Sequence, residues 1–347
     1  MNLKVGISGF GRIGRGIFRN NYEESDLNKK FDVVAIKDII SLEQIAYLLK
    51  FDSTYGNFKG DVGVDKDFLI VDGKKIPYLS QTSTADISWQ SYGLGILIES
   101  SGSVSSGEEV KNLIKGSLKN VIFTRGAQGI DLTMIMGINH HQYNPKQHHI
   151  LSGGTCTGNA AIPLVYILDK HYGIENGNIT TIHPVLSDQK LADVAHPKFS
   201  LGRNANSSII PTQTKIVDSI TDIFPELKER LSGTSYRVPT SIVSVIDATF
   251  YLKKGIQKEG FINLLKQYEK GSLEGIINCD EGYLGHSKVT IDFLGSPYSA
   301  IIPLNEIRVV GDKMVSLSII HDNEKGYCYR IKDLINYVYE RNISYER

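Results

Sequence analysis

Cysteine is scarce in this sequence of 347 residues, and the scarcity excludes two kinds of architecture. The three cysteines, Cys156, Cys279 and Cys328, lie far apart and include no C-x-x-C pair. This spacing supplies neither a disulfide framework nor a zinc site, and it is typical of a reducing compartment. No leader with a charged start and a long apolar segment precedes the first predicted strand. We therefore expect a cytoplasmic protein.

Net charge is absent as well, since Lys plus Arg and Asp plus Glu both number 38. A protein that binds nucleic acid would be expected to carry a clustered positive face, and none stands out. Apolar runs long enough to cross a bilayer are also lacking. With 41% apolar and 22% charged residues, the composition indicates a globular enzyme of about two domains, with neither nucleic acid nor membrane as a partner.

Glycine is plentiful, and its first cluster predicts a dinucleotide site. A short alternating strand leads into a G-x-G-x-x-G pattern, which an amphipathic helix follows. Gly9 would form the tight turn, Gly11 would admit a pyrophosphate against the backbone, and Gly14 would let the helix pack on the strand. The expected cofactor residues here are Gly9, Phe10, Gly11, Arg12, Ile13 and Gly14.

An acidic residue ends the next predicted strand, 33–36. Asp38 lies 38 − 14 = 24 residues beyond the last glycine, about where a carboxylate binds the adenosine ribose and disfavours a 2′-phosphate. The simpler alternative is a surface carboxylate after an ordinary strand. Lys37 beside it is a cation that would weaken the preference for NAD over NADP.

Predicted strands and helices continue to alternate to about residue 137. We predict strands at 95–99, 120–124 and 134–137 and a helix at 108–114. Strands and helices in alternation predict a doubly wound parallel sheet of the Rossmann type, whose cofactor crevice lies at the strand carboxyl ends. Ser101, Gly102 and Thr124 follow such ends and are expected to line the cofactor.

The second half of the sequence is richer in strands. We predict strands at 242–250, 289–293 and 315–321 and helices at 216–231 and 258–270. This change indicates a second domain of the α+β type. A last helix at 329–341 carries an apolar face that must pack on something, formed by Ile331, Leu334, Ile335 and Val338.

Between the halves, Cys156 follows a turn of small residues and precedes an apolar helix. At a helix N-terminus the backbone N–H groups favour a thiolate, which predicts a nucleophile, although a lone cysteine is often only a packing residue. His183 ends a β-branched strand and would be the general base if it reaches Cys156, or otherwise a structural histidine.

Four further histidines flank a turn without ligand spacing, so we predict no metal site: His140, His141, His148 and His149.

Five motifs in order resemble the glyceraldehyde-3-phosphate dehydrogenases and the related erythrose-4-phosphate dehydrogenases. They are the glycine cluster Gly9–Arg15, Cys156 with Asn159, Thr180-Thr181-Ile182-His183, Arg237-Val238-Pro239-Thr240, and Asp322-Asn323-Glu324 with Gly326-Tyr327. The resemblance implies NAD as cofactor and a glycolytic homotetramer with a mainly antiparallel sheet in the catalytic domain. The implied domains are 1–154 with a returning 322–347, and 155–321.

The resemblance also implies a chemistry and its residues. Cys156 attacks the aldehyde, His183 moves the proton, and hydride passes to NAD to leave a thioester that phosphate or water releases. Asn323 looks like the residue that orients the nicotinamide, with Ile13 and Tyr327 beside the ring. By the same resemblance, Thr155, Thr157 and Thr214 bind the attacking phosphate and Arg237 binds the phosphate of the substrate, unless Arg237 is a structural arginine.

Departures from the family pattern keep the substrate open. Glycines occupy positions 153, 154 and 158, where the family usually has Asn, Ala and Thr. Leu186 replaces a threonine of the substrate phosphate site, Lys215 replaces a glycine, and Lys325 replaces a tryptophan. Leu186 and Lys215 are similar to the erythrose-4-phosphate branch, while the glycines and Lys325 fit neither branch. A divergent paralogue on another phosphorylated aldehyde and a decayed NAD-binding module are the alternatives.

Overall fold

A computed structural model describes residues 3–26 and 30–346, and these form two compact units. The first comprises the described residues within Met1–Met136, His140–Gly154 and Cys328–Arg347. The second comprises Gly137–Asn139 and Thr155–Tyr327. Each unit is built on a sheet of its own.

The first unit contains a nine-stranded sheet in the order β3-β4-β5-β2-β1-β6-β7-β9-β8. Strands from β5 to β8 in this order are parallel, while β3, β4 and β5 form antiparallel hairpins. The central strands are nearly all apolar and buried, as expected for parallel strands covered on both faces. The strands are β1 (Lys4–Ser8), β2 (Asp32–Lys37), β3 (Val62–Asp65), β4 (Phe68–Val71), β5 (Lys74–Leu79), β6 (Ile96–Glu99), β7 (Asn120–Phe123), β8 (Leu132–Thr133) and β9 (Ile150–Ser152).

The strand order places the predicted cofactor residues at a topological switch point. From β1 the sheet grows through β2 in one direction and through β6 in the other, and ligands of such sheets bind outside the carboxyl ends at this reversal. Gly9 follows β1 directly, and Ser101 follows β6 by two residues. A Cβ on Gly9 would lie 2.3 Å from the Ser101 backbone, so the two turns are in close contact.

Helices of the first unit are α1 (Arg12–Glu23), α2 (Leu42–Lys50) and the larger part of α6 (Lys325–Glu346). Ser41 caps α2 by accepting a hydrogen bond from Gln44 N at 3.3 Å. The apolar face predicted for the last helix is buried: Ile331, Leu334, Ile335 and Val338 are each at most 1% exposed. Among the described residues, no helix is both long and apolar enough to cross a membrane.

The second unit is organised on an eight-stranded, mainly antiparallel sheet. Its order is β11-β12-β10-β13-β17-β15-β14, with β16 paired to β17, and only β10 with β12 and β14 with β15 are parallel pairs. The two sheets confirm the predicted fold class. The elements are α3 (Cys156–Tyr172), β10 (Ile174–Pro184), β11 (Ile210–Thr212), α4 (Ile216–Thr221), β12 (Leu231–Val238), β13 (Ser244–Leu252), α5 (Lys258–Glu269), β14 (Ile277–Asp280), β15 (Ala300–Pro303), β16 (Arg308–Val310) and β17 (Met314–His321).

Four predicted elements are wrong. The helix expected at 216–231 ends at Thr221, because Pro225 cannot continue it, and β12 begins at Leu231. Segments 108–114 and 289–293 form short 3₁₀ turns instead of a helix and a strand. The strand expected at 134–137 is replaced by Leu132–Thr133.

Candidate active site

Helix α3 begins at Cys156, and its first turn is fixed by local hydrogen bonds. Thr155 is the N-cap residue, in an extended conformation, and its Oγ1 accepts a bond from Gly158 N at 3.0 Å. Asn159 is 97% buried and donates from Nδ2 to Thr155 O at 2.9 Å. The thiol is therefore held on the first residue of a long helix, as the sequence predicted.

The prediction that the helix N-terminus lowers the pKa of the Cys156 thiol is wrong, because the pKa is raised. Burial around the sulfur is the largest influence and raises the pKa of Cys156 above the ordinary value of a thiol, although the residue keeps some exposed surface. Backbone N–H groups of Thr157 and Cys156 and the charge of Arg237 lower the pKa, while Glu324 raises it. Desolvation outweighs the helix N-terminus, so Cys156 rests as a thiol and needs a base.

His183 has the protonation state that a base requires. It is 95% buried at the end of β10, and its Nδ1 lies 2.9 Å from Pro184 O. A carbonyl only accepts, so Nδ1 carries the proton and Nε2 is left with a lone pair. Burial, followed by the charge of Arg237, lowers the pKa of His183 to about 4. The imidazole is therefore neutral at physiological pH.

Arg237 connects the thiol and the imidazole. It lies opposite His183 in the parallel register of β10 and β12. Its charge lowers the pKa of both Cys156 and His183, so the guanidinium is close to each of them. Burial lowers the pKa of Arg237 itself, and the charges of Asp188 and Cys156 oppose that shift. Nucleophile, base and a half-buried cation thus share one site in the second unit.

A group of hydroxyls lies beside Cys156, and the sequence predicted only part of it. Thr155 Oγ1 is 3.4 Å from Thr157 Oγ1 and 3.4 Å from Ser219 Oγ on α4. Ser219 was missed because nothing in the local pattern marks it. A Cβ at Gly158 would lie 3.2 Å from Ser219 Cβ, so the glycine that departs from the family pattern makes room for this contact.

The other two predicted phosphate residues precede α4. Thr214 Oγ1 accepts a hydrogen bond from Ile216 N at 3.1 Å, so this hydroxyl holds the start of the helix. Lys215 is exposed at the N-cap position, where its side chain makes no capping bond. The lysine cation is therefore presented at the surface of the second unit.

Glycine at each motif position of the first unit has a separate steric reason. Gly9 has φ +87°, in the left-handed region. A Cβ on Gly14 would lie 2.2 Å from Gly9 O, while a Cβ on Gly11 would meet nothing within 4 Å. Gly14 is thus required for packing, and open space above Gly11 leaves the backbone accessible to a ligand. This arrangement fits a pyrophosphate at the start of α1.

Two alanine substitutions separate these roles. Gly14→Ala should lower the free energy of unfolding by about 1–3 kcal/mol, because backbone must move to admit the methyl group. Gly11→Ala should cost less than about 1 kcal/mol in stability, the usual loss at an N-cap, yet weaken NAD binding. Urea unfolding and NAD calorimetry measure the two effects. Equal destabilisation by both substitutions would contradict the steric assignment.

Asp38 and Lys37 have different surroundings. Asp38 Oδ2 accepts a hydrogen bond from Phe10 N at 2.6 Å, so the carboxylate is tied to the glycine turn. Lys37 is 99% buried, and its Nζ donates to Thr82 O at 3.1 Å. The ammonium is directed to that carbonyl and is not presented to solvent. Because this cation is buried, the structure gives no support to the prediction that Lys37 weakens the preference for NAD over NADP.

The side chains of Phe10 and Arg12, in the glycine turn, make contacts within the protein. The ring of Phe10 is fully buried, and Cys328 Sγ donates to the carbonyl of Ile13 at 3.6 Å. Arg12 pairs with Asp52, with Nη1 2.8 Å from Oδ2. Phe10 and Arg12 can therefore contribute to a cofactor site through their backbone.

A buried carboxylate that the sequence analysis missed supports the turn after β6. Glu99 is 1% exposed, and its Oε1 accepts from both the backbone and the hydroxyl of Ser101. Oε2 accepts from Thr84 Oγ1 at 3.2 Å. Thr124 Oγ1 donates to the backbone carbonyl of Glu99 at 3.3 Å, and Gly102 has φ +73°. This network orders the predicted cofactor residues Ser101, Gly102 and Thr124.

Asn323 and Tyr327 belong to the second unit and are both buried. Asn323 Oδ1 accepts a hydrogen bond from Val243 N at 3.1 Å. Because the carbonyl oxygen of the amide is used, the nitrogen is the end that can donate to a carboxamide. Val243 has φ +68°, which is unusual for a β-branched residue, so Asn323 supports a strained backbone.

The cysteines should differ in reactivity. Burial, followed by the charge of Glu269, raises the pKa of Cys279 to about 12, and Cys328 is fully buried. Iodoacetamide at pH 8–9 should modify Cys156 first, because backbone N–H groups and the charge of Arg237 stabilise its thiolate while the carboxylate of Glu269 opposes ionisation of Cys279. Peptide mapping of labelled protein checks this order. Faster labelling of Cys279 would contradict it.

No group of three or more His, Cys, Asp or Glu side chains at metal-binding distance occurs within the described parts of the chain. His140 packs edge to face on Tyr337 at 4.9 Å between centroids, and His148 Nδ1 accepts from Asn144 N. These histidines hold local structure.

A doubly wound dinucleotide unit, followed by a unit with a helix-borne thiol and a neutral imidazole, has the organisation of an NAD-dependent aldehyde dehydrogenase. Residues 3–107 match the NAD binding domain of glyceraldehyde 3-phosphate dehydrogenase, and residues 155–323 match its C-terminal domain. The chain is 36% identical to glyceraldehyde-3-phosphate dehydrogenase of Geobacillus stearothermophilus over 343 residues, which cover 99% of this chain and 100% of that protein.

Two further relatives are equally complete matches. Glyceraldehyde-3-phosphate dehydrogenase 1 of Bacillus cereus is 34% identical over 340 residues, 98% of this chain and 99% of that protein. Glyceraldehyde-3-phosphate dehydrogenase of Priestia megaterium is 35% identical over 338 residues, which cover 97% of this chain and 98% of that protein. The chain therefore belongs to the glyceraldehyde-3-phosphate dehydrogenase family, which confirms the predicted resemblance and NAD as the cofactor.

Proposed function

We propose that this protein is an NAD-dependent dehydrogenase that oxidises glyceraldehyde 3-phosphate to an acyl phosphate, with inorganic phosphate as acceptor. The observation that carries the proposal is the position of Arg237, close enough to Cys156 and His183 to shift the pKa of both. A cation beside a thiol and a neutral base suits an aldehyde that carries its own phosphate group.

The first step uses the thiol and the base. His183 Nε2 takes the proton from Cys156 Sγ as the sulfur bonds to the aldehyde carbon, which gives a hemithioacetal. Backbone N–H groups at the start of α3 stabilise the negative oxygen. The imidazolium of His183 returns its proton to this oxygen, which completes the hemithioacetal hydroxyl and restores the neutral base. The imidazole then removes that hydroxyl proton as the carbon–hydrogen bond breaks, and a thioester with Cys156 remains.

NAD, when bound, accepts the hydride. We assign its pyrophosphate to the Gly9–Gly14 turn, its ribose to Asp38, and its nicotinamide to Asn323, with Ile13 and Tyr327 near the ring. Ser101, Gly102 and Thr124 complete the set. Phosphate oxygen attacks the thioester carbon next, held by Thr155, Thr157 and Thr214 with Ser219 as an added hydroxyl, and Cys156 leaves as a thiolate.

Arg237→Gln should raise KM for the aldose phosphate about 10–100-fold, because hydrogen bonds to a charged group contribute about 1.5–3 kcal/mol. The chemical step should slow as well, since the charge of Arg237 lowers the pKa of Cys156. Initial rates over a range of substrate concentrations measure both constants. Arg308→Gln, at an exposed position on β16, is the matched control and should leave both unchanged. An unchanged KM in Arg237→Gln would make Arg237 a structural residue.

The substrate is tested by NADH formation with glyceraldehyde 3-phosphate and erythrose 4-phosphate, each with and without inorganic phosphate. A phosphate-dependent preference for the three-carbon substrate supports the proposal. The missing hydroxyl at Leu186 and the exposed cation of Lys215 favour the four-carbon alternative, because a longer substrate places its phosphate farther from the aldehyde and needs a cation elsewhere. Preference for erythrose 4-phosphate, or turnover of neither, would reject the proposed substrate.

We also propose a cytoplasmic homotetramer. Exposed apolar side chains in the second unit support assembly: Phe199 is 90%, Leu191 71% and Ile209 67% exposed. The three cysteines form no disulfide with one another, which suits a reducing compartment. We assign the cofactor domain to 1–154 and 322–347 and the catalytic domain to 155–321, although the compact units divide at Cys328, so that Asn323 and Tyr327 pack with the second unit. Analytical ultracentrifugation measures the assembly, and a monomer would contradict it.

A further inference from the structure

Behind His183, the sheet of the second unit contains a second buried histidine that the mechanism above does not use. His321 ends β17 and is 2% exposed. Burial, followed by the charge of His183, lowers the pKa of His321 to about 3. The charge of His183 is therefore felt at His321, and His321 stays neutral whenever His183 works as a base.

Strand register joins the two histidines through a serine. Ser244 is the cross-strand partner of His321 between β13 and β17. Ile182 pairs with Val245, so continuing this antiparallel register by one residue brings His183 beside Ser244. Directly opposed residues share one face of a sheet. His183, Ser244 and His321 form a row across β10, β13 and β17, which we call the polar row.

The polar row contains hydrogen-bonding capacity that the described residues leave unused. Ser244 Oγ and His321 Nε2 are buried, and neither has a hydrogen-bond partner among those residues. A buried polar atom without a partner costs about 1–3 kcal/mol. The two atoms do not bond each other directly, so a change of the Ser244 χ1 angle or one bridging water would be needed to satisfy both.

Ser244 and His321, two of the three residues of the polar row, are both linked to Asn323. The strained Val243 precedes Ser244 and donates its N–H to Asn323 Oδ1, while Asn323 follows His321 by two residues. Asn323 therefore restrains both strands that carry the cross-strand pair Ser244 and His321. This restraint makes the pair a rigid support for the imidazole of His183.

We propose that Ser244 and His321 are positioning residues for the base, and that they hold the ring of His183 through the polar row. This inference rests on the proposed function of His183. A misplacement of the base by about 1 Å can cost about 100-fold in rate, so support of this kind has a measurable value. The charged and titratable groups nearby are Cys156 on α3, Arg237 on β12 with Asp188 beside it, the exposed Asp247 on β13, and Glu324 and the buried Asp322 between β17 and α6, while β15 carries none.

The test compares His321→Leu, His321→Gln and Ser244→Ala. Glutamine keeps a polar atom near the place of Nε2, while leucine fills a similar volume without one. We expect His321→Leu and Ser244→Ala to lower kcat about 10–100-fold with little change in KM, and His321→Gln to stay within about threefold of the parent. Equal losses with leucine and glutamine would reduce His321 to a packing residue.

A double-mutant cycle adds a second criterion. In a His183→Asn background, His321→Leu should have no further effect on kcat, because the residue acts through His183. A loss of the same size in both backgrounds would overturn the inference.

NMR titration of the His183 ring supplies a readout that needs no turnover. Its pKa should move from about 4 towards 6.5 in His321→Leu, as the loosened ring becomes hydrated. An unchanged titration together with unchanged kcat would overturn the inference. If the parent protein oxidises no aldose phosphate, the proposed function fails, and the ring titration still decides whether the polar row holds His183.

Discussion

Cys156→Ala should abolish NADH formation, with a fall in kcat of about 10⁴-fold or more. The methyl group cannot form a hemithioacetal, so the carbon that gives up the hydride is never prepared. NAD binding should be unchanged, since the glycine turn and Asp38 belong to the other unit. Initial rates with glyceraldehyde 3-phosphate measure the loss. Calorimetry with NAD checks that the cofactor unit is intact.

Cys279→Ala is the matched control. Cys279 lies on β14 with a thiol whose pKa is raised to about 12, and its backbone N–H donates to Glu269. Its removal should leave kcat within about twofold, the usual range for a substitution outside the reacting groups. Rapid mixing of the parent protein should show a burst of NADH that matches the number of sites. Substantial turnover in Cys156→Ala would exclude the covalent mechanism.

Contiguous residues made much of the fold and part of the site predictable. The glycine turn follows a strand directly, and its steric needs arise within six residues, so Gly9, Gly11 and Gly14 can be interpreted from spacing alone. Helix α3 is equally local, because Thr155 caps it from the residue before Cys156. The family motifs then identify His183 and Arg237. That these two residues lie opposite each other depends on how β10 pairs with β12, which the sequence alone does not show.

The parts that could not be predicted depend on register and burial. Ser219 lies beside Thr155 from α4, and the register of β13 and β17 pairs Ser244 with His321 on strands next to that of His183. No local spacing in the sequence brings these residues together. Glu99 looks like the last residue of an ordinary strand until its carboxylate is seen to bind Ser101. The direction of the thiol pKa was wrong for a related reason, since a helix N-terminus is visible in a sequence and desolvation is not.

His183→Asn should lower kcat about 10²–10⁴-fold, the range for loss of a general base. In the parent protein the pKa of His183 is about 4, so the base should stay neutral and active at pH 5.5, where an ordinary imidazole is mostly protonated. In the variant only solvent can remove the thiol proton. Its kcat/KM should therefore rise about tenfold per pH unit at every pH below the raised pKa of Cys156 and level off above it.

The pH dependence of kcat/KM for both proteins decides the role of His183. His171→Asn is a matched control, since His171 lies at the far end of α3 and its Nε2 contacts Tyr268 Oη at 2.9 Å. It should reproduce the parent profile. If the parent lost activity with a midpoint near pH 6.5, burial would not be setting the pKa of the base. If His183→Asn kept the parent profile at a reduced rate, the proton would leave Cys156 by another group.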